Sequence, residues 1–387
     1  MELILKQYDI PLLRFSATND SSTPEIEVHW INEDQRHLLP LDMELSPEGI
    51  SRWMRRRTIP RNRAYVNRLL AKCGLNANRP MGILALCKGL SVDDSYWVVE
   101  EGFEGTFEKY NLFENRFSEV LALIAFTGYG SSNRSSLASS PEFTTNGMLP
   151  KCWRRISGKV TLYKGGTDGG YNTGAEPYCE YYAAQVAASM GIDAIPYGLS
   201  QWKGRLCSTC ELFTDIDHAY MPIGNLVQRG GFDAVAAYYE NLGEPFQKAF
   251  RDMLVFDAVI CNTDRHYGNF GFMIDNKTNT IAAPAPLFDH GNSLFNQAGP
   301  EHYESPEAFQ QYIDTLVPCV YDDFFATAKR FMTDENREQL RKLLGFRFKR
   351  HVRYNLPPKR LKLMEEQVRK RAMRLLEREP ENESISH

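Results

Sequence analysis

One segment in the second half of the chain restricts the possible folds more than any other part of the sequence. It begins with an apolar run, Phe246–Ile260, whose large side chains repeat at helical spacing. A polar loop follows at once, and Asp264 and Asn269 stand in it five positions apart. A further apolar stretch then ends at Asp289. The sequence therefore predicts a helix that leads into a loop rich in oxygen-bearing side chains.

The first part of the chain has the patterns of strands and then of helices. Residues 1 to about 45 alternate apolar and polar side chains, which predicts strands. Ser46 and Pro47 suit the N-cap and the first turn of a helix, and a second helix is predicted from 60 to 72. Residues 80–135 are predicted to be mostly helical.

The composition changes between residues 131 and 151, where Ser, Thr, Gly and Pro predict a loop or linker. Beyond it, short strands are predicted at 160–163 and 206–213, with a helix between them at 176–190. From Phe232 onward the pattern is helical outside the polar segment.

This order of elements predicts an α+β protein with two lobes, a small β-rich lobe followed by a helical lobe. An additional domain precedes both lobes. We predict an N-terminal α+β domain at residues 1–130, the β-rich lobe at 131–215 and the helical lobe at 216–387.

Composition and charge describe an ordinary globular protein. Of 387 residues, 43% are hydrophobic and 24% are charged, and the net charge is −4, so no global attraction to nucleic acid or membrane is implied. The longest apolar stretch, 120–126, is too short to cross a bilayer. Eight scattered cysteines indicate reduced thiols and a cytoplasmic protein. Cys207 and Cys210 form a CxxC without a second pair, which favours buried strand cysteines over zinc.

The residues of the polar loop suit phosphoryl transfer. In protein kinases a loop Asp precedes an Asn by five positions, and a later Asp-Phe-Gly supplies a metal-binding carboxylate. Asp264 and Asn269 have that spacing, and Asp289 stands where the second Asp would be. Asn269 and Asp289 would hold Mg²⁺ through oxygen atoms, while Asp264 would orient the acceptor hydroxyl and take its proton.

Two upstream elements supply candidates for ATP binding. Lys164 ends a predicted strand, from which its ammonium would reach the α- and β-phosphates, and Glu180 on the following helix would pair with it. The strand around Glu211 and Phe213 is a predicted hinge whose backbone would bind adenine. Each residue alone also suits an ordinary turn or surface position, and it is their conjunction in chain order that favours the kinase interpretation.

The polar loop resembles the catalytic loop of the HipA family of bacterial serine/threonine protein kinases. In that family an Asn-Thr-Asp is followed by His two positions after the Asp and by Asn five after it, as in the run 262–269 here. This places His266 at the nucleotide site, where hydrogen bonds from its ring would fix the loop. The stretch 285–289 resembles the metal-binding stretch of the family, and Gly147 and Lys151 lie in a segment similar to its phosphate-covering loop.

The resemblance implies an ATP- and Mg²⁺-dependent protein kinase with a kinase-like fold, a protein substrate that the sequence does not identify and a toxin-like role. Family members act in toxin–antitoxin pairs, so an antitoxin or DNA contact is a further expectation, and some autophosphorylate. By that similarity we hypothesise an autophosphorylation site among Ser139, Ser140, Thr144 and Thr145. The first 125 residues do not resemble the N-terminal region of the family.

Two other functions are compatible with the sequence. The Asp264-Arg265-His266 run with Asn269 also looks like the loop of phosphoinositide kinases, which would make the acceptor a lipid or a small molecule. Separately, the stretch 52–72 holds eight basic residues and no acid, and the segment 347–374 is similarly basic. A nucleic-acid-binding regulator is therefore an alternative, with solvated or acid-facing helices as the simpler explanation.

Overall fold

The computed structural model describes residues 1–18, 24–130, 139–169 and 173–377. Parts of the predicted linker (131–138) and of a glycine-rich stretch (170–172) lie outside these ranges. The chain divides into two compact units, each made of three segments. The first unit comprises Met1–Thr167, Ser200–Gln228 and Gly271–Ala285, and the second comprises Asp168–Leu199, Arg229–Phe270 and the chain from Pro286 onward. The predicted three-part division of the chain stays a prediction.

The described residues form strands, α-helices and short 3₁₀ turns, numbered here in chain order. The strands are β1 Glu2–Gln7, β2 Ile10–Ala17, β3 Ile26–Ile31, β4 Tyr96–Glu100, β5 Lys151–Ile156, β6 Lys159–Gly165, β7 Gly198–Trp202, β8 Arg205–Glu211, β9 His218–Pro222, β10 Gly271–Asp275 and β11 Thr280–Pro284. The helices are α1 Pro47–Arg56, α2 Val66–Lys72, α3 Pro80–Cys87, α4 Phe107–Tyr110, α5 Glu119–Thr127, α6 Glu176–Met190, α7 Ile223–Leu226, α8 Gly231–Leu242, α9 Phe246–Ile260, α10 Pro306–Ile313, α11 Phe324–Phe331, α12 Asp334–Arg341 and α13 Pro358–Leu376.

Three sheets build the first unit, with strand orders β3-β2-β1-β4, β5-β6-β8-β7 and β11-β10-β9. Strand β1 shows why the N-terminal sheet forms. Leu3 and Leu5 are buried and alternate with more exposed residues, as a strand with one covered face requires. Trp53 and Met54 of α1 bury their side chains in the same apolar core.

The second unit is helical and is organised around α9. Every residue of α9 from Asp252 to Ile260 is buried. A helix that is apolar around most of its surface must be covered on all sides, and such a helix gives a rigid support for whatever follows it. Two buried carboxylates interrupt the apolar run, Asp252 at its start and the fully buried Asp257.

Several sequence predictions are confirmed for single elements. The helices predicted at 176–190 and 246–260 have those bounds in α6 and α9. Ser46 caps α1 by accepting a hydrogen bond from the Gly49 amide at 3.1 Å, and Pro47 lies in the first turn. The mixture of antiparallel sheets and helices agrees with the predicted α+β class.

Two predictions of helix are wrong in part. The helix predicted from residue 60 begins only at Val66, because Tyr65 has a left-handed backbone with φ of 59° that interrupts it. The stretch 80–135 contains the strand β4, which the sequence analysis missed. Its first four residues are all buried, so no alternation marks the strand, and its aromatic and β-branched side chains are the only local signal.

The remaining fold-level expectations concern cysteines and membranes. Cys207 is buried on β8, and Cys210 lies three positions along the same strand, so their side chains point to opposite faces and do not share a metal ion. In the described ranges, no helix has the length and apolar character that crossing a bilayer requires.

Candidate functional site

The polar loop starts where α9 ends, in the second unit. Cys261 takes a left-handed conformation, with φ of 54°, that stops the helix. The buried Asn262 side chain then donates from Nδ2 to Asp257 Oδ1 at 3.1 Å and accepts a hydrogen bond from the Asp264 amide at 3.1 Å. Asp264 is therefore fixed to the end of a buried, rigid helix.

Arg265 ties this loop to the segment that carries Asp289. Its Nε and one terminal nitrogen bond the two carboxylate oxygens of Asp257 at 2.9 and 3.0 Å. The other terminal nitrogen donates to the carbonyls of Asn269 at 3.1 Å and Phe288 at 2.6 Å. One nitrogen contacts both carbonyls, and Phe288 directly precedes Asp289. Asn269 and Asp289 are therefore held near each other although twenty positions separate them in the sequence.

The charge of Arg265 is stabilised by its surroundings. Burial works against this charge, but Asp257 and, more weakly, Asp289 hold the pKa of the guanidinium above its ordinary value. The pair with Asp257 has side chains that are 1% and 0% exposed. A buried ion pair of this kind fixes geometry more than it adds stability, since its desolvation offsets much of its attraction.

Asp289 itself has a left-handed backbone, with φ of 56°, a conformation that Asp tolerates better than most residues. Its amide donates to the Tyr197 hydroxyl at 3.1 Å, and the next amide, of His290, donates to Glu180 Oε2 at 3.0 Å. Glu180 is fully buried on α6. Glu180 thus holds the backbone beside Asp289. Its predicted partner Lys164 belongs to the first unit, and that pair stays a prediction.

The carboxylate of Asp264 has a fixed orientation. Asn292 donates from Nδ2 to Asp264 Oδ2 at 2.7 Å, and Asn296 in turn donates to Asn292 Oδ1 at 2.8 Å. The Asn292 carbonyl also accepts hydrogen bonds from the Thr263 amide and hydroxyl. One oxygen of Asp264 is therefore held in place by the Asn292 side chain.

Asn269 and Asp289 offer the oxygen atoms that a hard divalent cation prefers. Asn269 donates from Nδ2 to the Asp264 carbonyl at 3.3 Å, so its amide oxygen is the end that remains for a cation. Among the residues that the structure describes, no three His, Cys, Asp or Glu side chains are grouped for metal binding. The residues therefore fit Mg²⁺ only if an amide oxygen and the phosphates of a nucleotide complete its coordination.

His266 lies on the exposed side of the same loop. Its ring Nδ1 accepts a hydrogen bond from the Gly268 amide at 3.1 Å, and its carbonyl accepts one from the Asn269 amide at 2.9 Å. These contacts hold the loop conformation, and the position of His266 at a nucleotide site stays a prediction.

In the first unit, two lysines lie side by side. Lys151 and Lys164 are directly opposite each other on β5 and β6, so their side chains project from one face of the sheet, and each residue is only 6% exposed. Gly147 lies against Lys151: its φ is 91°, and a Cβ there would stand 2.1 Å from Lys151 Nζ. Two neighbouring ammonium groups suit a polyanion such as the phosphate chain of a nucleotide.

The predicted hinge is part of the same sheet. Glu211 ends β8, and its carboxylate pairs with Lys159 Nζ at 2.8 Å on the protein surface. The Phe213 ring meets Tyr220 edge-on, with centroids 5.5 Å apart. Adenine binding by this strand stays a prediction.

The four candidate autophosphorylation residues are packed into the first unit. Ser140 and Thr144 are buried, and Ser139 and Thr145 are half-buried. The hydroxyls of Thr144 and Thr145 donate to backbone carbonyls at 3.0 and 2.7 Å. Phosphorylation of either buried residue would require the segment to leave this packing.

Most arginines of the basic stretch 52–72 make contacts inside the first unit. Arg57 and Arg63 are buried in ion pairs with acidic side chains, and three further arginines contact an acid or a carbonyl. The contacts are Arg52 with Glu44, Arg56 with Asp42, Arg57 with Asp94, Arg63 with Glu142, and Arg68 with the Gly128 carbonyl. This agrees with the simpler explanation that these helices face acids on the protein.

Comparison with known proteins relates the chain to kinases. No family model matches the chain. Its sequence is 27% identical over 135 residues to the serine/threonine-protein kinase CtkA of Helicobacter pylori, a match that covers 31% of this chain and 41% of CtkA. A HipA of Shewanella oneidensis MR-1, solved with HipB and its operator DNA, aligns over 97% of both chains at 14% identity, with a TM-score of 0.52. The chain is thus similar in fold to HipA and, over part of its sequence, to a serine/threonine-protein kinase. A crystal structure of CtkA aligns over 60% of this chain and 90% of its own, at 16% identity and a TM-score of 0.47.

These comparisons confirm the kinase-like α+β fold that the sequence predicted. The likeness to HipA also extends into the N-terminal region, because the alignment covers 97% of the chain. The sequence motifs did not connect that region with the family. The chain matches less than half the length of CtkA, its curated relative.

Sequence reasoning missed the residues that position the loop. Asp257 was visible as the single acid inside the apolar end of α9, and a buried acid in such a run signals a buried partner. Arg265, Asn292 and Tyr197 gave no comparable signal, because their contacts join segments that are distant in the sequence.

Proposed function

We propose that the chain is an ATP- and Mg²⁺-dependent kinase that transfers the γ-phosphate to a serine or threonine hydroxyl of a protein. The observation that carries the proposal is the contact of Arg265 with the carbonyls of Asn269 and Phe288, at 3.1 and 2.6 Å. It brings the Asp264 loop and Asp289 together as phosphoryl transfer requires. The relationship to HipA-like kinases supports the same conclusion.

Each residue has a role in this proposal. Asp264, held through one oxygen by Asn292, would accept the proton of the acceptor hydroxyl, and such general-base help contributes about 10²–10⁴ in rate. Asn269 and Asp289 would hold Mg²⁺, which neutralises charge on the phosphates. In the first unit, Lys151, Lys164 and Gly147 would contact phosphate oxygens. The strand around Glu211 and Phe213 would border adenine.

An acceptor screen with labelled ATP tests both the reaction and the class of acceptor. The full chain is incubated with Mg²⁺ and labelled ATP, together with a cell-extract protein mixture, an inositol lipid or an aminoglycoside. The Asp264→Asn variant gives the background, and it should keep the wild-type fold because the substitution preserves the shape of the side chain. Label on protein Ser or Thr supports the proposal. Label on lipid or aminoglycoside alone would favour the alternative acceptor, and no transfer above the variant would end the kinase assignment.

We also propose a toxin-like role in the cytoplasm with an antitoxin-type partner, because the solved relative is a HipA bound to HipB and operator DNA. Expression of the wild-type chain should then arrest growth, and expression of Asp264→Asn should not. Equal growth of the two strains would contradict the toxin-like role and would leave the phosphotransfer proposal untouched.

A further inference from the structure

A second basic segment, in the second unit, differs from the stretch 52–72. We call the exposed side chains of Arg347, Lys349, Arg350 and Arg353 the basic surface. The surrounding run 341–364 holds nine basic residues and no acid, although the whole chain carries a net charge of −4. Within the described part of the chain, none of the four side chains forms an ion pair, whereas Arg341 just before them pairs with Glu338. Four unpaired like charges within seven positions attract a polyanion.

The backbone beneath the basic surface is held firmly by neighbouring helices. Gln185 of α6 bonds the Lys349 amide at 2.8 Å and the Lys349 carbonyl at 3.2 Å. The Phe348 amide donates to Glu365 of α13 at 3.0 Å, and the Phe348 ring packs on Tyr182 with centroids 4.7 Å apart. The charges therefore stand on a fixed scaffold, and binding to it loses little conformational entropy.

Aromatic rings border the same segment. His351 stacks on Tyr354, with centroids 5.3 Å apart and planes at 12°, and meets Tyr181 edge-on at 5.7 Å. All three residues are partly exposed. The guanidinium group of arginine can donate two parallel hydrogen bonds to phosphate oxygens, and bases of single-stranded nucleic acids stack on aromatic rings. An acidic peptide or an anionic membrane would use the charges but has no need of the rings.

We propose that the basic surface binds the phosphodiester backbone of a single-stranded nucleic acid, with the His351–Tyr354 pair in contact with a base. This inference goes beyond phosphotransfer and does not depend on it. Of the two basic stretches in the sequence, it favours the second, because the structure shows that most arginines of 52–72 are already engaged.

Fluorescence anisotropy of the full chain, without ATP, tests the proposal. The probes are a labelled 20-nucleotide single-stranded RNA of mixed sequence, the same sequence as duplex DNA, and phosphatidylserine-containing vesicles followed by sedimentation. Four backbone contacts predict a slope of log affinity against log salt of about −2.8, hence a loss of about 50-fold between 50 and 200 mM salt. The variant Arg350→Ala with Arg353→Ala should have a slope of about −1.4 and bind at least about 10-fold more weakly at low salt.

A matched control removes two exposed arginines from the other segment, Arg52→Ala with Arg61→Ala. It should bind RNA like the wild type, and both double variants should keep the wild-type thermal melt. The proposal is overturned if the Arg350 and Arg353 variant binds RNA normally, or if the control loses as much affinity. Tighter binding to the duplex than to the single strand, or binding to vesicles alone, would equally overturn it.

Discussion

Replacing Arg265 by Met should strongly destabilise the second unit, because it leaves Asp257 as a buried charge without its cation. Asp257 is fully buried, and the remaining hydrogen bond to its carboxylate comes from Asn262 Nδ2 at 3.1 Å. Removing one partner of a buried ion pair costs about 3–5 kcal/mol. This is a large fraction of the roughly 5–15 kcal/mol by which a folded domain exceeds its unfolded state.

Removing both charges distinguishes the effect of Arg265 on stability from its effect on the position of the loop. In the double variant Arg265→Met with Asp257→Leu the uncompensated charge is gone, so most of the lost free energy of unfolding should return. Phosphotransfer should not return with it, because the carbonyls of Asn269 and Phe288 still lack the nitrogen that brings them together. The loss should be at least about 100-fold, the scale on which a displacement of about 1 Å affects catalysis.

Urea unfolding followed by circular dichroism gives the stabilities, and single-turnover transfer from labelled ATP gives the rates. The matched control is Arg251→Met, a substitution on the same helix that carries Asp257. It also removes an arginine from an ion pair, but the glutamate in this pair is 56% exposed. An exposed pair of this kind should cost about 1 kcal/mol or less. The reasoning is refuted if Arg265→Met is no less stable than the control, or if the double variant transfers phosphate at the wild-type rate.

Two further substitutions test other parts of the account. Asn292→Ala should lower kcat about 10- to 100-fold with little change in KM for ATP, because it frees the Asp264 carboxylate without touching nucleotide ligands. Initial rates beside the exposed neighbour variant Gln297→Ala measure this, and an equal rise in KM would show that the contact serves binding instead. Arg63→Met should destabilise the first unit by about 3–5 kcal/mol, since both side chains of its ion pair are 0% exposed. The exposed control Arg36→Met should change urea unfolding by less than about 1 kcal/mol, and equal effects of the two would contradict the burial argument.

Part of the geometry of the candidate site could be predicted from the sequence because the contacts involved are local. Asp264 and Asn269 share one loop directly after a helix with a clear apolar pattern, so their proximity follows from the chain itself. Helices α6 and α9 have the bounds that the sequence predicted. Strand β4 was missed for a physical reason: burial on both faces removes the alternation on which strand prediction depends.

The parts that could not be predicted depend on contacts between distant segments. The contact of Glu180 with the His290 amide, more than a hundred positions later, had no signal in the sequence, and the pair of Glu180 with Lys164 stays a prediction. The pairing of the basic residues with acids could not be predicted either. The sequence shows two basic stretches of similar composition, and only the structure reveals that one is paired with acids while Arg347 and its neighbours are exposed and unpaired among the described residues.

We propose that Asp289 holds a nucleotide-bound divalent cation while Asp264 serves the acceptor. Electron paramagnetic resonance of Mn²⁺, titrated into the full chain with a non-hydrolysable ATP analogue, measures it most directly. Wild type and Asp264→Asn should bind the Mn²⁺–nucleotide complex with the same affinity, and Asp289→Asn should bind it at least about 10-fold more weakly, as expected when a carboxylate ligand becomes a neutral amide. Unchanged Mn²⁺ affinity in Asp289→Asn, or an equal loss in both variants, would contradict the account.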